Sequence, residues 1–262
     1  MFVHGRNQGP ADTTNYWHNG GYSDNGVAAF TGNNSEGNYV YAYDATVAWS
    51  DLSSDSTPVC QLTNAMYNAP GTDQVVLTHS AGGDVAVYML AAAQNGWATG
   101  CSVSPASAKA WATYVVPVAG VWRGSELANA VYGHTGGNFL QQLCGTVAGS
   151  LANLLFNQAS AMTYALQTSY VQNNYGSLTA YGTYGSIYLN WGTTADGDDS
   201  TAMKGAAWCA GMPTNDGVVA VYSASYGIPN SHTGWSDSVG HSSNRRNDYK
   251  TFAANVWAYN PY

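Results

Sequence analysis

The chain has 262 residues, of which 45% are hydrophobic and only 8% are charged, and its formal net charge is -8. Its 20 Tyr and 9 Trp residues supply ample apolar area for a core, which excludes a disordered chain or a coiled coil. Only seven Lys and Arg residues stand against 15 acidic ones, which disfavours nucleic acid and anionic membranes as partners. No apolar run approaches the ~18 residues of a membrane span, so no integral membrane association is expected.

Strand-like and helix-like segments alternate along the chain, which is typical of a mostly parallel sheet flanked by helices. The predicted strands are residues 2–3, 39–43, 74–78, 114–121 and 186–191. The predicted helices are residues 60–69, which follow Pro58, and residues 84–93, which Asn95 and Gly96 end. Residues 218–222 form either a short strand or the start of a helix. The sequence therefore predicts a single α/β domain over residues 1–262.

Between about residues 127 and 177, apolar residues recur at helical spacing and no strand signal interrupts them. The residues that carry this periodicity are Leu140, Leu143, Val147, Leu151, Leu154 and Leu155. We therefore predict a helical insertion at about residues 130–177. Such an insertion either forms a cap over a site or covers the sheet as ordinary helices, and both interpretations stay open.

The four cysteines form no CxxC pair and lie near no pair of histidines, so two disulfides are favoured over a zinc site. Of the three possible pairings, we expect Cys60–Cys101 and Cys144–Cys209, because neighbours along the chain close the shorter loops. Disulfides form in oxidising compartments, which predicts a secreted protein. The chain opens on Met1 and enters an apolar segment at once, which favours a mature form whose export signal has been removed.

The strongest local signal is the segment VVLTHSAGG at residues 75–83. An apolar strand enters a turn of small residues that holds Ser80, and a helix follows directly. This geometry presents the serine hydroxyl at the helix N-terminus, whose dipole stabilises developing negative charge. Gly82 and Gly83 leave room for a neighbouring strand or helix. The context predicts a nucleophile elbow, with Thr78 in place of the first glycine of G-x-S-x-G. The alternative is a plain junction with Ser80 as a helix N-cap.

A serine nucleophile needs a base, and the base needs an acid that fixes its tautomer. After a nucleophile elbow these residues follow in the order Ser, Asp or Glu, then His. Asp216 lies in the turn PTNDG before two valines, and His241 lies in the loop SVGHS, so both fit this order. His232 is the alternative base, although it has no apolar lead-in. His79 is expected to point away from the serine and to have either a structural role or a role in supporting the catalytic residues.

A glycine-containing turn also follows the predicted strand near the N-terminus, in the segment FVHGRNQG at residues 2–9. Acyl transfer needs two backbone N–H groups aimed at the oxyanion. The residue after the nucleophile, Ala81, is expected to supply one of them. The second is expected from this first turn, at Arg6.

Together these segments resemble a secreted bacterial lipase or esterase of the α/β-hydrolase fold. The resemblance is carried by VHG at residues 3–5, THSAGG at 78–83, NDGVV at 215–219 and VGH at 239–241. A fifth segment, GVWRGSELA at residues 120–128, is similar to the stretch where such lipases carry Pro-His-x-Gly-Ser, with Trp122 in place of the histidine. The resemblance implies a Ser80–Asp216–His241 triad with Arg6 and Ala81 as oxyanion donors.

The resemblance implies a carboxylic ester hydrolase that acts on an ester or lipid substrate through an acyl-enzyme and requires no cofactor. A triacylglycerol lipase, a carboxylesterase for small esters and a cutinase-like polyester hydrolase are all open. The alternative from another class is a catalytically silent binding or structural protein on the same scaffold. No oligomeric state is predicted.

An acidic loop, ADGDDS at residues 195–200, places Asp196, Asp198 and Asp199 close together in the sequence. Oxygen-rich loops of this kind can hold a structural calcium. The loop lacks the EF-hand pattern, so a solvated acidic loop is the alternative interpretation and no metal ligand is assigned.

Overall fold

The computed structural model describes residues 1–5, 40–41, 43–44, 46–69, 74–109, 112–118, 120–133, 160–175, 186–188, 201–224, 231–232 and 241. The strands in these ranges are β1 Phe2–Val3, β2 Val40–Tyr41, β3 Gln74–His79, β4 Ala112–Val118, β5 Ser186–Tyr188 and β6 Ser231–His232. They form one sheet in the order β2-β1-β3-β4-β5-β6, and every neighbouring pair is parallel. Parallel neighbours require crossover connections, which helices usually supply.

The described helices are α1 Pro58–Asn68, α2 Ala81–Asn95, α3 Pro105–Lys109, α4 Glu126–Val131, α5 Ala161–Ala165, α6 Thr168–Tyr175, α7 Thr201–Cys209 and α8 Val221–Ala224. Helix α1 begins at Pro58, whose fixed φ suits a first turn, and α2 ends at Asn95 with Gly96 as a C-cap in the left-handed conformation. The segment predicted as a strand or a helix at residues 218–222 is a turn followed by α8. Strand β4 ends at Val118, earlier than predicted.

The main core is built around α2, which is buried on nearly all sides. Such a helix is apolar around its whole circumference, and the sequence of α2 shows this pattern. The sheet contributes Val3 and Val76, and α1 contributes Leu62 and Met66. Each large apolar side chain buried in this way stabilises the fold by about 1.5–3 kcal/mol. The core therefore fixes the start of α2 against the sheet.

Helices α5 and α6 lie in the segment predicted as an insertion, and both pack into this main core. Met162, Ala165 and Val171 are buried there. The Met162 N–H donates to the Thr46 carbonyl at 3.0 Å, and the Trp49 indole donates to the Ala165 carbonyl at 2.7 Å. The leucines and valine that predicted the helical insertion lie outside the described residues.

The predicted disulfide Cys60–Cys101 is confirmed, and it links α1 to the segment after α2 across 41 residues. Cys209 is also disulfide-bonded, and its predicted partner Cys144 lies outside the described residues. Closing a loop of this length stabilises the fold by about 4 kcal/mol through the entropy of the unfolded chain. The bond is compatible with an extracellular protein. In the described part of the chain, no helix is both long and apolar enough to cross a membrane.

Candidate active site

Ser80 lies at the sharp turn between β3 and α2, and its backbone is in an unusual conformation. Its φ is 54° and its ψ is -133°, and it is the one non-glycine residue with positive φ in the described ranges. Such a conformation costs about 1–3 kcal/mol and persists where the surroundings enforce it, often at functional sites. The Ser80 side chain makes no capping hydrogen bond to α2, which disfavours the N-cap interpretation.

The glycines after Ser80 allow α2 to contact two neighbouring segments. A Cβ at Gly82 would lie 2.8 Å from the carbonyl oxygen of Val3 and also clash with that of His4. A Cβ at Gly83 would lie 2.9 Å from the Trp122 ring. The expectation that these glycines leave room for neighbours is therefore correct, and the end of β1 lies directly against the turn that holds Ser80.

Asp216 and His241 form a buried hydrogen-bonded pair. Oδ2 of Asp216 lies 2.6 Å from Nδ1 of His241, and Asp216 is fully buried while His241 is 7% exposed. The other carboxylate oxygen accepts the N–H groups of Val218 at 3.0 Å and Val219 at 2.7 Å, which fixes the turn. The N–H of His241 also donates to the Asp216 carbonyl at 2.9 Å. With Nδ1–H donated to the carboxylate, Nε2 is the ring nitrogen that can accept a proton.

His79 is the last residue of β3, and its side chain contacts His241 of the Asp216–His241 pair. Its Nε2 lies 2.9 Å from the His241 carbonyl oxygen, and the two imidazole rings are 4.5 Å apart between centroids. Since Ser80 follows His79 directly, the structure brings Ser80, His241 and Asp216 to one end of the sheet. The alternative base, His232, lies in β6 and is paired with Tyr188.

The turn that carries Asp216 is supported by the segment after β4. The Ser125 hydroxyl donates to the Val218 carbonyl at 2.7 Å. The Ser223 hydroxyl donates to the Gly124 carbonyl at 2.8 Å and accepts the Arg123 N–H at 3.0 Å. Sequence reasoning missed this role of Ser125 and Ser223. The likeness of residues 120–128 to a lipase segment was the signal that pointed to this region.

His4 organises the start of the segment that follows β1. Its Nδ1–H donates to the Gly5 carbonyl at 2.6 Å, and its Nε2 accepts the Tyr43 N–H at 3.1 Å. The ring stacks on Tyr43 with centroids 4.1 Å apart, and the Tyr43 hydroxyl donates to the His4 carbonyl at 2.9 Å. Burial lowers the pKa of His4 to about 4, so the imidazole is neutral at pH 7.

Acid is therefore expected to destabilise the fold through His4. The unfolded chain binds this proton near pH 6.5 and the folded chain only near pH 4, so lowering the pH through this window favours unfolding, by about 3 kcal/mol in total. Urea unfolding at several pH values would measure the loss. His4→Phe keeps a ring to stack on Tyr43 and should show a smaller loss over the same window, although it is less stable at pH 7. An unchanged pH dependence in His4→Phe would contradict this assignment.

Several predicted residues lie outside the described part of the chain, namely Arg6 and the acidic residues Asp196, Asp198 and Asp199. Ala81 is described, and it is the buried first residue of α2. Within the described ranges, no group of three His, Cys, Asp or Glu side chains could hold a metal ion.

No protein-family model and no curated protein matches the chain. Among solved structures, it is similar to the mature form of lipase BlEst2 from Bacillus licheniformis, with a TM-score of 0.67 and 16% identity over 99% of this chain and 90% of that one. The propeptide form of the same lipase gives a TM-score of 0.65 and 15% identity over 98% of this chain and 48% of that one, so the chain spans about half of that form. Lipase 1 from Pelosinus fermentans gives a TM-score of 0.50 and 14% identity over 97% of both chains. The likeness shows that the chain shares the fold of these bacterial lipases.

Proposed function

We propose that the chain is a serine carboxylic ester hydrolase of the α/β-hydrolase fold. The observation that carries the proposal is the buried hydrogen bond of 2.6 Å between Asp216 and His241, next to the strained turn at Ser80. An acid that orients a histidine beside a serine at a helix N-terminus is the arrangement that acyl transfer requires. The lipases of similar fold support an ester as the substrate.

In the proposed reaction, His241 removes the proton of the Ser80 hydroxyl as the oxygen attacks the ester carbonyl. Asp216 orients the imidazole and stabilises the imidazolium that forms. His241 then gives its proton to the leaving alcohol, and an acyl-enzyme remains on Ser80. Water activated by His241 releases the acid in the second half of the reaction. No organic cofactor takes part.

The oxyanion is proposed to bind two backbone N–H groups. Ala81 is the first residue of α2, where backbone N–H groups have no partner within the helix. The second donor is proposed to be Arg6.

Export from the cell is part of the proposal, and the disulfide Cys60–Cys101 supports it. A stable disulfide and a scarcity of Lys and Glu suit a protein that works outside the cell. Three kinds of ester hydrolase are open, and the form of the substrate that each prefers separates them: a triacylglycerol lipase, a carboxylesterase and a cutinase-like polyester hydrolase.

Hydrolysis of p-nitrophenyl esters of increasing acyl length tests the proposal. The parent is expected to cleave them, and Ser80→Ala is expected to lower kcat by about 10⁴- to 10⁶-fold. Ser56→Ala, which removes an exposed hydroxyl in the turn before α1, is the control and should keep the parent rate. Equal rates for Ser80→Ala and the parent would reject the serine mechanism, and an inert parent would favour the silent binding protein. Long-chain emulsions, soluble short-chain esters and polyester film then separate the three substrate classes.

A further inference from the structure

We propose that His79 is a positioning residue that holds His241 at the strand carrying Ser80. The inference rests on the proposed function and assigns a role to the histidine immediately before the nucleophile. It is carried by the contacts of the His79 side chain with the backbone and the ring of His241.

His79 is well placed to hold another residue, because its own position is fixed. It is the last residue of β3, and it pairs with Val118 of β4 in the parallel ladder. Its side chain is buried, at 2% exposure, so its rotamer is set by packing. Because this side chain is already ordered, forming a hydrogen bond from it costs little additional conformational entropy.

The hydrogen bond from His79 defines a tautomer. The His241 carbonyl oxygen can only accept, so Nε2 of His79 carries the hydrogen across the 2.9 Å between them. The rings are inclined by 50° with centroids 4.5 Å apart, so the two imidazoles are also in contact. His79 therefore touches His241 at both the main chain and the side chain.

The two partners of His241 have different tasks. Asp216 binds both Nδ1 and the backbone N–H of His241, which orients the ring relative to the turn at residues 215–220. Among the contacts of the described residues, His79 makes the link from His241 to the strand that leads into Ser80. Asp216 thus fixes the orientation of the base, and His79 fixes its distance from the nucleophile.

This distance matters because proton transfer depends steeply on geometry. A displacement of about 1 Å between reacting groups can cost about 10²-fold in rate. Removing the His79 donor should therefore lower kcat and leave KM nearly unchanged, because His79 is buried and is not proposed to touch the ester.

Two substitutions separate the hydrogen bond from the packing. His79→Phe keeps a ring against His241 but has no donor, and kcat is expected to fall about 10- to 100-fold on the p-nitrophenyl ester that the parent cleaves fastest. His79→Gln carries an amide N–H₂ at the position of Nε2 and is expected to recover most of the parent kcat. Equal losses of kcat in both variants, with both folded, would overturn the role of the hydrogen bond.

A second readout does not need ester hydrolysis. The short hydrogen bond between Asp216 and His241 should give a far-downfield Nδ1–H resonance in the ¹H NMR spectrum of the parent. We expect it to persist in His79→Gln and to broaden into exchange with water in His79→Phe. An unaltered resonance in His79→Phe overturns the proposal, whether or not the parent cleaves esters. Should His79→Phe fail to fold, the smaller His79→Leu removes the same donor and takes its place.

Discussion

Asp216→Asn is expected to lower kcat by about 10³- to 10⁴-fold while the protein stays folded. The asparagine oxygen can still accept the N–H groups of Val218 and Val219, so the turn keeps its shape. The amide N–H₂ then faces Nδ1 of His241 in place of a carboxylate oxygen. Nδ1 must accept a hydrogen bond there, which moves the imidazole proton to Nε2. A histidine in that tautomer cannot take the proton of Ser80.

Steady-state hydrolysis of the preferred p-nitrophenyl ester measures this loss, and circular dichroism verifies the fold. Asp55→Asn is the matched control, because it makes the same exchange at an exposed carboxylate that accepts hydrogen bonds from Ser102. Its kcat should equal that of the parent. If Asp216→Asn also kept the parent kcat, Asp216 would not be the acid, and the pair with His241 would be structural.

The residues at this site differ in how far the sequence alone could identify them. The turn at Ser80 between a strand and a helix was predictable because the three signals are adjacent in the sequence, and a turn is determined by nearby residues. The turn at Asp216 was predictable because PTNDG is a turn by composition and precedes two valines. The choice of His241 over His232 depended on the apolar lead-in that His232 lacks, and the hydrogen bond to Asp216 now favours His241.

The contacts that hold His241 and the turn of Asp216 in place could not be predicted from the sequence. The hydrogen bond from His79 to His241 joins residues 162 positions apart, and that from Ser125 to Val218 joins residues 93 apart. No periodicity or turn signal reports such pairs, because they depend on how strands and loops approach one another in the folded chain. The neighbours of β1 were equally inaccessible, since a strand of two residues has too short a pattern to select a partner.

The packing of Trp122 could not be read from the sequence. In the sequence it is a departure from a histidine of the lipase segment. In the structure its ring fills the space over Gly83, and it is 2% exposed. Trp122 therefore packs where Gly83 of α2 has no side chain. Such a fit between two distant segments can be seen only in the folded structure.

Gly82→Ala is expected to destabilise the fold by about 3 kcal/mol or more. The added methyl group would lie 2.8 Å from the Val3 carbonyl oxygen and clash with that of His4. Both atoms belong to the backbone at the end of β1, which lies between β2 and β3 in the sheet, so a side-chain rotation cannot relieve the contact. Either α2 or β1 must shift, and each shift disturbs the turn at Ser80.

Urea unfolding monitored by tryptophan fluorescence measures this change, with Gly205→Ala as the control. Gly205 is an exposed residue inside α7, where an added Cβ would meet no other atom within 4 Å. Alanine there should stabilise the fold by about 0.5–1 kcal/mol, because it restricts the unfolded chain and favours the helix. The same substitution thus has opposite signs at the two positions. Similar stabilities for the two variants would mean that the first turn of α2 does not lie against the end of β1, and the placement of the Ser80 turn against that strand would have to be abandoned.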